Sequence, residues 1–283
     1  MGIVWLSSYP KSGNTWTRVF LANLFLNPDK PVDINSLPQF TFGEHRGEYY
    51  EQFSGRKLSE LTDEEINRLR PTVQRHIASA GRNQTLFVKT HSAITQLDGV
   101  PTILPEVTDG AIYIVRNPLD VAVSYAHHLA ITYDEAIEAM GISTNRLATV
   151  DNFAFQLLGS WTDHVRSWLT APGLQPHLMR YEDMLSRPEQ AFGSLVKFLR
   201  LPPNPARLRK AIRFSSFKTL SKQEGEHGFI EASKKATKFF RSGKSAVWQT
   251  ELNQAQIDKI ISDHRDYMLK FGYLKKDGTP VRI

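Results

Sequence analysis

The chain has 283 residues, 41% of them hydrophobic and 23% charged, which fits one large α/β domain or two small ones with a sizeable core. It contains no cysteine, so disulfide bonds, thiolate metal sites and thiol nucleophiles are excluded. The formal net charge of +6 favours an anionic partner, which can be nucleic acid, a membrane surface or a polyanionic small molecule. No apolar run approaches the roughly 18 residues of a membrane span, and the start lacks the features of a signal peptide. We therefore expect a cytoplasmic protein.

Strand and helix patterns alternate along the chain. Strands are predicted over residues 3–7, 85–89, 111–115 and 178–181. Helices are predicted after residue 13, from the capping pair Thr62 and Glu65 to Gly81, and over 117–131, 152–170, 189–200, 204–213 and 254–271. Irregular chain is predicted over 28–58 and 132–152, and a mobile polar segment over 222–237. This alternation predicts an α/β fold, a single domain with a central parallel sheet and helices on both faces.

The first candidate site is the loop that follows the first predicted strand. It places Lys11, Ser12, Asn14 and Thr15 around Gly13, just before an amphipathic helix. Backbone N–H groups at a helix start are unpaired and the helix dipole favours an anion there, while lysine and hydroxyl groups bind phosphate oxygens. The loop is not a Walker A motif, because its lysine precedes the glycine. A nucleotide kinase or NTPase with an unusual loop stays an alternative.

This loop carries a family resemblance. Residues 9–16 read YPKSGNTW, which closely resembles the 5′-phosphosulfate-binding loop of sulfotransferases that use 3′-phosphoadenosine-5′-phosphosulfate (PAPS). The resemblance implies a P-loop-like nucleotide-binding fold, with Trp16 at the adenine. The family often has Thr where this chain has Asn14, which is a mild departure because Asn also donates hydrogen bonds. The implied phosphosulfate contacts are Lys11, Ser12, Gly13, Asn14 and Thr15.

A second motif follows the third predicted strand. Residues 116–125 read RNPLDVAVSY, in which Asn117 can cap the following helix. An arginine at a strand end can hold a phosphate with two hydrogen bonds, and a serine about two turns into the helix adds a hydroxyl. The run resembles the family's 3′-phosphate motif, which implies that Arg116 and Ser124 bind the 3′-phosphate of PAPS. Asp120 is interpreted as a packing or dipole-compensating residue.

The third motif, FVKTH at residues 87–91, ends the second predicted strand. Ligands bind beyond the carboxyl ends of parallel strands, so Lys11, His91 and Arg116 are expected to converge. Lys-Thr-His resembles the family segment with the general base, which implies that His91 removes the acceptor's hydroxyl proton and Lys89 steadies the sulfuryl group. Lys11 can stabilise charge on the leaving oxygen. Because lysines supply this charge and the nine histidines show no metal-ligand spacing, no metal is expected.

Two later segments extend the resemblance. Residues 180–183 read RYED, as in the family, and residues 239–243 read FFRSG, a partial match to an Arg-Lys-Gly element in which Ser242 replaces lysine. The implied contacts are Tyr181 at the adenine and Phe239, Arg241 and Gly243 near the 3′-phosphate. The dimerisation motif of many animal members is absent, so the resemblance implies no oligomeric state.

Together, the motifs predict sulfuryl transfer from PAPS to a hydroxyl of a small-molecule or natural-product acceptor, with no nucleic-acid or membrane partner. GSW at 159–161 and VRSW at 165–168 resemble bacterial members more than animal detoxifying enzymes. The unmatched loops are expected to select the acceptor. Two alternatives stay open, a metal-dependent kinase or NTPase and a catalytically dead binding module. The presence of Lys11, Lys89 and His91 together argues against the second.

Overall fold

The computed structural model describes residues 2–81, 84–232 and 238–282. The chain divides into two compact units. Unit 1 comprises Met1–Tyr9, Thr41–Tyr113 and Ala139–Pro176, and unit 2 comprises Pro10–Phe40, Ile114–Glu138 and His177–Ile283. The single domain expected over residues 1–283 stays a prediction. Across the described ranges, no helix combines the length and the apolar character needed to cross a membrane.

The strands form a main sheet and two small antiparallel pairs. In chain order they are β1 (Ile3–Ser8), β2 (Phe42–Gly43), β3 (Leu86–Thr90), β4 (Gln96–Leu97), β5 (Val100–Pro101), β6 (Thr108–Val115), β7 (Arg146–Leu147), β8 (Gln156–Leu157) and β9 (His177–Arg180). The main sheet has the order β2-β3-β1-β6-β9. β1 runs parallel to β3, with Ser7 opposite Thr90, and β2 also runs parallel to β3. The predicted α/β class with a central parallel sheet is confirmed.

Helices lie between these strands and after β9. They are α1 (Asn14–Leu26), α2 (Leu37–Phe40), α3 (Gly47–Ser54), α4 (Asp63–Ala80), α5 (Pro118–Leu129), α6 (Tyr133–Gly141), α7 (Trp161–Leu169), α8 (Tyr181–Ser186), α9 (Pro188–Phe198), α10 (Pro205–Phe214), α11 (Phe217–His227), α12 (Trp248–Glu251) and α13 (Gln254–Lys270). Thr62 and Glu65 make both hydrogen bonds of a capping box, and Asn117 caps α5. These two predicted helix starts are confirmed. The sequence could predict them because capping is a local interaction.

Each unit has its own apolar core. In unit 1, β1 is buried along its whole length, and the indole of Trp5 donates to the Thr108 hydroxyl at 2.9 Å. In unit 2, α1 packs into a cluster of buried residues: Val19, Ala22, Ile34, Leu37, Leu220, Phe229 and Phe240. The two terminal guanidinium nitrogens of buried Arg18 each donate to a carboxylate oxygen of Glu231 at 2.7 Å. The helix that follows the candidate anion loop is therefore held by packing and by a bidentate ion pair.

The prediction of a helix over 152–170 is wrong for its first half. α7 begins only at Trp161, because Gly159 is left-handed with φ of +66° and Ser160 caps the helix. Ahead of it β8 pairs with β7, and Phe153 is 44% exposed. The apolar spacing that predicted a helical face there belongs to a hairpin instead.

Segments predicted to be irregular contain regular structure. The range 28–58 contains α2, β2 and α3, and 132–152 contains α6 and β7. α11 covers the start of the polar segment predicted over 222–237, while residues 233–237 lie outside the described residues. The Gln223 side chain on α11 accepts a hydrogen bond from the backbone of Ile34 at 2.9 Å. Long-range contacts of this kind stabilise short elements that have little intrinsic preference.

Candidate functional site

The loop between β1 and α1 presents an open helix N-terminus. Lys11 has φ of +67°, a left-handed conformation that costs about 1–2 kcal/mol for a residue with a side chain. Gly13, with φ of +106°, is the N-cap, and a Cβ there would lie 2.9 Å from the Tyr181 ring. The first turn of α1 carries no acidic residue, and Gly13 offers no side chain to cap it. The backbone N–H groups of this turn can therefore bind an anion.

Arg116 joins the first two motifs. Its guanidinium donates to the carbonyl of Lys11 at 3.0 Å and to the carbonyl of Lys244 at 3.2 Å, and it lies 4.3 Å from the centre of the Tyr181 ring. Its Nε and the Ser12 hydroxyl are buried and have no hydrogen-bond partner among the described residues. Buried donors of this kind fit a ligand that brings acceptor oxygens, as a phosphate does.

The two residues predicted to contact adenine lie together in unit 2. The rings of Trp16 and Tyr181 meet edge to face with centroids 5.7 Å apart, and Trp16 makes a similar contact with Phe192. Burial raises the pKa of the Tyr181 phenol, which keeps it neutral. An aromatic pair beside an anion loop is a suitable surface for a purine base.

Two buried acids hold the backbone around Arg116. Glu182 accepts a hydrogen bond from the backbone N–H of Asn117 at 2.9 Å, and burial raises the pKa of its carboxyl group. Asp120 accepts from two backbone N–H groups within residues 246–248, at 2.7 and 3.1 Å. The structural role expected for Asp120 therefore agrees with the geometry. Glu182 was missed as a positioning group, although it lies within the recognised RYED segment.

The late segment at residues 239–243 reaches the anion loop through Phe239. The Lys11 ammonium lies 4.0 Å from the centre of the Phe239 ring, within the range of a cation–π contact. Gly243 has φ of +60°, and a Cβ there would lie 2.2 Å from the Phe217 ring, so the position requires glycine. Ser124 lies in the second turn of α5 and is partly buried.

Arg241 takes part in a polar cluster on the surface of unit 2. Its guanidinium forms an ion pair with Glu251 at 3.5 Å. The Tyr133 hydroxyl donates to Glu251 at 2.5 Å and lies 3.3 Å from His127 Nε2. Burial and the neighbouring carboxylate raise the pKa of Tyr133 to about 12, and burial lowers the pKa of His127. A phosphate at Arg241 would therefore share this guanidinium with Glu251.

Two of the three predicted catalytic residues, Lys89 and His91, lie in unit 1 at the carboxyl end of β3, whereas Lys11 belongs to unit 2. His91 Nδ1 lies 2.7 Å from the Ser8 carbonyl oxygen. Because a carbonyl only accepts, Nδ1 carries the proton and Nε2 is the basic nitrogen. Burial, and then the positive charge of Lys89, lower the pKa of His91 well below its usual 6.5. The imidazole is therefore unprotonated near neutral pH, as a general base must be.

A buried carboxylate that the sequence analysis missed stabilises this strand end. Glu44 is fully buried and forms an ion pair with fully buried Arg70 at 2.9 Å. Its carboxylate also accepts hydrogen bonds from Thr90 at 3.1 Å, Gln156 at 3.1 Å, Ser92 at 3.3 Å and Tyr50 at 3.5 Å. Thr90 and Ser92 flank His91. Glu44 lies in the range 28–58, where no pattern in the sequence distinguishes it.

Known proteins resemble this chain over most of its length. A family model described as the sulfotransferase domain matches residues 2–272. The flavonol 3-sulfotransferase of Flaveria bidentis is 25% identical, over 91% of this chain and 78% of the relative. Sulfotransferase 1A1 of Canis lupus familiaris is 26% identical, over 93% of this chain and 82% of the relative.

Solved structures share the fold. Mouse sulfotransferase SULT7A1 complexed with PAP has a TM-score of 0.58 at 19% identity, covering 96% of this chain and 86% of its own. Retinol dehydratase in complex with androsterone and PAP has a TM-score of 0.62 at 17% identity, covering 99% of this chain and 82% of its own. At these identities the likeness concerns the fold alone.

The match over residues 2–272 shows that the chain belongs to the sulfotransferase family. It is an enzyme that transfers a sulfuryl group from PAPS to a hydroxyl acceptor. The resemblance read from the three motifs is thereby confirmed. The kinase or NTPase alternative is set aside, because the family match covers nearly the whole chain.

Proposed function

We propose that side chains of unit 2 bind the nucleotide of PAPS and that Lys89 and His91 of unit 1 serve its transfer reaction. The observation that carries the proposal is the arrangement of Arg116, which is buried, bonded to the Lys11 carbonyl and in contact with the Tyr181 ring. Its Nε, with no partner among the described residues, supports an anionic ligand at this place.

The nucleotide contacts divide by chemical group. The residues assigned to the 5′-phosphosulfate are Lys11, Ser12, Gly13, Asn14 and Thr15. Those assigned to the adenine are Trp16 and Tyr181. Those assigned to the 3′-phosphate are Arg116, Ser124, Phe239, Arg241 and Gly243. Lysine, arginine and hydroxyl donors suit the phosphate groups, and the aromatic pair suits the base.

The transfer step needs a base and fixed positive charge. PAPS supplies an activated sulfuryl group. His91 accepts the hydroxyl proton at Nε2 while the acceptor oxygen forms its bond to sulfur. The bond from sulfur to the bridging phosphate oxygen breaks with its electron pair left on that oxygen, where Lys11 stabilises the charge. Lys89 steadies the sulfuryl oxygens, and the two lysines make a metal ion unnecessary.

The acceptor in this proposal is a small molecule or natural product that carries a hydroxyl group. The name of one relative specifies a flavonol, and a structural neighbour was solved with androsterone. We retain the expectation of a cytoplasmic enzyme without nucleic-acid or membrane partners.

A transfer assay tests the proposed function. The protein is incubated with ³⁵S-labelled PAPS and a panel of phenols, alcohols and sugars, and labelled product is counted against released PAP. One equivalent of PAP per sulfated acceptor supports the proposal. Tight PAP binding with no labelled product from any acceptor would identify a catalytically dead nucleotide-binding module.

The chain is expected to bind PAP about ten- to a hundredfold more tightly than AMP. Losing the charge-assisted contacts of a 3′-phosphate typically costs roughly 1.5–3 kcal/mol. Calorimetry with both nucleotides checks this, and Arg116→Gln should remove most of the difference. Arg187→Gln, which changes an exposed arginine paired with Asp183, is the matched control. Equal affinity of the wild-type protein for both nucleotides would overturn the 3′-phosphate assignment.

Transfer activity is expected to survive an excess of EDTA. The proposed mechanism places Lys11 and Lys89 where a metal-dependent enzyme would use a cation. Initial rates with and without chelator give the measurement. Complete loss with EDTA, restored by Mg²⁺, would contradict the assignment of these lysines.

A further inference from the structure

Helix α7 contacts the backbone of the proposed base directly. His164 Nε2 lies 2.9 Å from the His91 carbonyl oxygen, and Trp168 Nε1 donates to the Ser92 carbonyl oxygen at 3.0 Å. Both side chains are fully buried. They stand four residues apart on one helix, so they lie on the same face and reach two consecutive carbonyl groups.

The tautomer of His164 is defined by its two partners. The carbonyl at Nε2 can only accept, so Nε2 carries the proton, and Nδ1 accepts from the Tyr113 hydroxyl at 2.8 Å. Burial lowers the pKa of His164 to about 4, so the ring stays neutral near neutral pH. His164 Nε2–H is therefore the donor, and the His91 carbonyl oxygen the acceptor, throughout the neutral pH range.

The backbone beyond β3 depends on such partners. β3 ends at Thr90, so the polar groups of residues 91–94 lie outside the strand pairing and need other bonds. Ile94 N–H donates to the Ser167 hydroxyl at 3.0 Å, and Ala93 N–H donates to the Leu157 carbonyl at 2.6 Å. Every one of these four residues is thus bonded to α7 or to the chain just before it.

We propose that His164 and Trp168 are positioning residues that set the orientation of the His91 ring. Holding the two carbonyl groups fixes the His91 backbone, so its Nδ1–H meets the Ser8 carbonyl and its Nε2 keeps the basic lone pair. A displacement of about 1 Å can cost about a hundredfold in rate, so the two bonds act on turnover more than on substrate affinity. This inference rests on the proposed function, in which His91 is the base.

The alternative is that both residues serve only the stability of the core. Trp5→Phe is the matched control, because Trp5 is also a fully buried tryptophan of unit 1 with an indole hydrogen bond of 2.9 Å, to Thr108 instead of the His91 segment. Trp168→Phe and Trp5→Phe each remove one buried N–H donor and should lose similar stability. Only Trp168→Phe should change the turnover rate.

The test compares His164→Leu, His164→Gln, Trp168→Phe and Trp5→Phe in the full chain. Turnover, KM for PAPS, PAP affinity and melting temperature are measured, and ¹⁵N NMR of the imidazole reports the His91 tautomer. We expect His164→Leu and Trp168→Phe to lower turnover about ten- to a hundredfold with PAP affinity unchanged. The His91 signal should then shift from the Nδ1–H tautomer to a mixture. His164→Gln retains an N–H donor, so its turnover should lie between that of His164→Leu and that of the wild type. If His164→Leu does not fold, His164→Gln and Trp168→Phe still give the test.

Unchanged turnover and an unchanged His91 tautomer in Trp168→Phe and His164→Gln would overturn the inference. So would a loss of rate in Trp5→Phe equal to that in Trp168→Phe. Failure of the proposed function gives a different result, in which His91→Ala keeps full turnover. The NMR measurement needs no activity, so it tests the positioning claim separately.

Discussion

Replacing His91 with alanine is expected to lower turnover by at least about 10²–10⁴-fold, the usual contribution of general base catalysis, while PAP affinity stays close to that of the wild type. The reason is that, in the proposed mechanism, the imidazole Nε2 accepts the acceptor's proton and does not contact the nucleotide. Single-turnover transfer to an aliphatic alcohol and calorimetry with PAP give the two measurements.

Two comparisons make this expectation specific. A highly acidic phenol, already ionised at the assay pH, should partly rescue His91→Ala, because it no longer needs a base. Lys11→Ala should lower both nucleotide affinity and turnover and should not be rescued, because the proposed mechanism assigns Lys11 to the phosphosulfate and to the leaving oxygen. His177→Ala is the control, since burial also lowers the pKa of that imidazole but it lies on β9, packed against Phe198.

The proposed role of His91 as the base also predicts how turnover depends on pH. Only the unprotonated ring can accept a proton, and the pKa of His91 lies well below its usual 6.5. Lowering the pH from 8 to about 6.5 should therefore leave the catalytic base active, with its loss beginning only at lower pH. If His91→Ala keeps wild-type turnover with an aliphatic alcohol, His91 is not the base, and His127, His128 or an acid in the acceptor loops takes its place as the candidate.

Glu44→Ala is expected to lower the free energy of unfolding by about 3–5 kcal/mol, because it leaves the fully buried Arg70 guanidinium without its counter-charge. It also removes the acceptor shared by the Thr90 and Ser92 hydroxyl groups on either side of His91. Urea unfolding followed by tryptophan fluorescence measures the change.

The control for this stability prediction is an exposed ion pair. Glu64→Ala removes the contact of Glu64 with Arg68 on the surface of α4, and it should leave the unfolding midpoint nearly unchanged. The double variant Glu44→Leu/Arg70→Met should recover part of the lost stability, since it leaves no buried charge behind. A midpoint for Glu44→Ala within error of the Glu64→Ala value would show that the buried pair contributes little.

Much of the local structure was determined by the sequence alone, because short-range interactions encode it. The capping box of Thr62 and Glu65 and the cap of Asn117 use atoms within a few residues of one another, so both helix starts were predicted correctly. The anion loop is likewise contiguous, at residues 9–16, and its composition predicts its chemistry before any fold is known. The same holds for the family resemblance, which three short motifs carry.

The surroundings of those motifs were decided only by the tertiary structure. Glu44 meets a partner 26 residues away in Arg70 and another 112 residues away in Gln156, and His164 meets the His91 carbonyl across 73 residues. Such pairs have no periodicity along the chain, since each is specified by which backbone and side-chain groups become buried together. The tautomer of His91 depends on the Ser8 carbonyl on the neighbouring strand in the same way. The apolar spacing near residue 153 predicted a helix, but the chain forms a hairpin there and Gly159 adopts a left-handed conformation. Pairing between β7 and β8 is a non-local interaction that the local spacing does not encode.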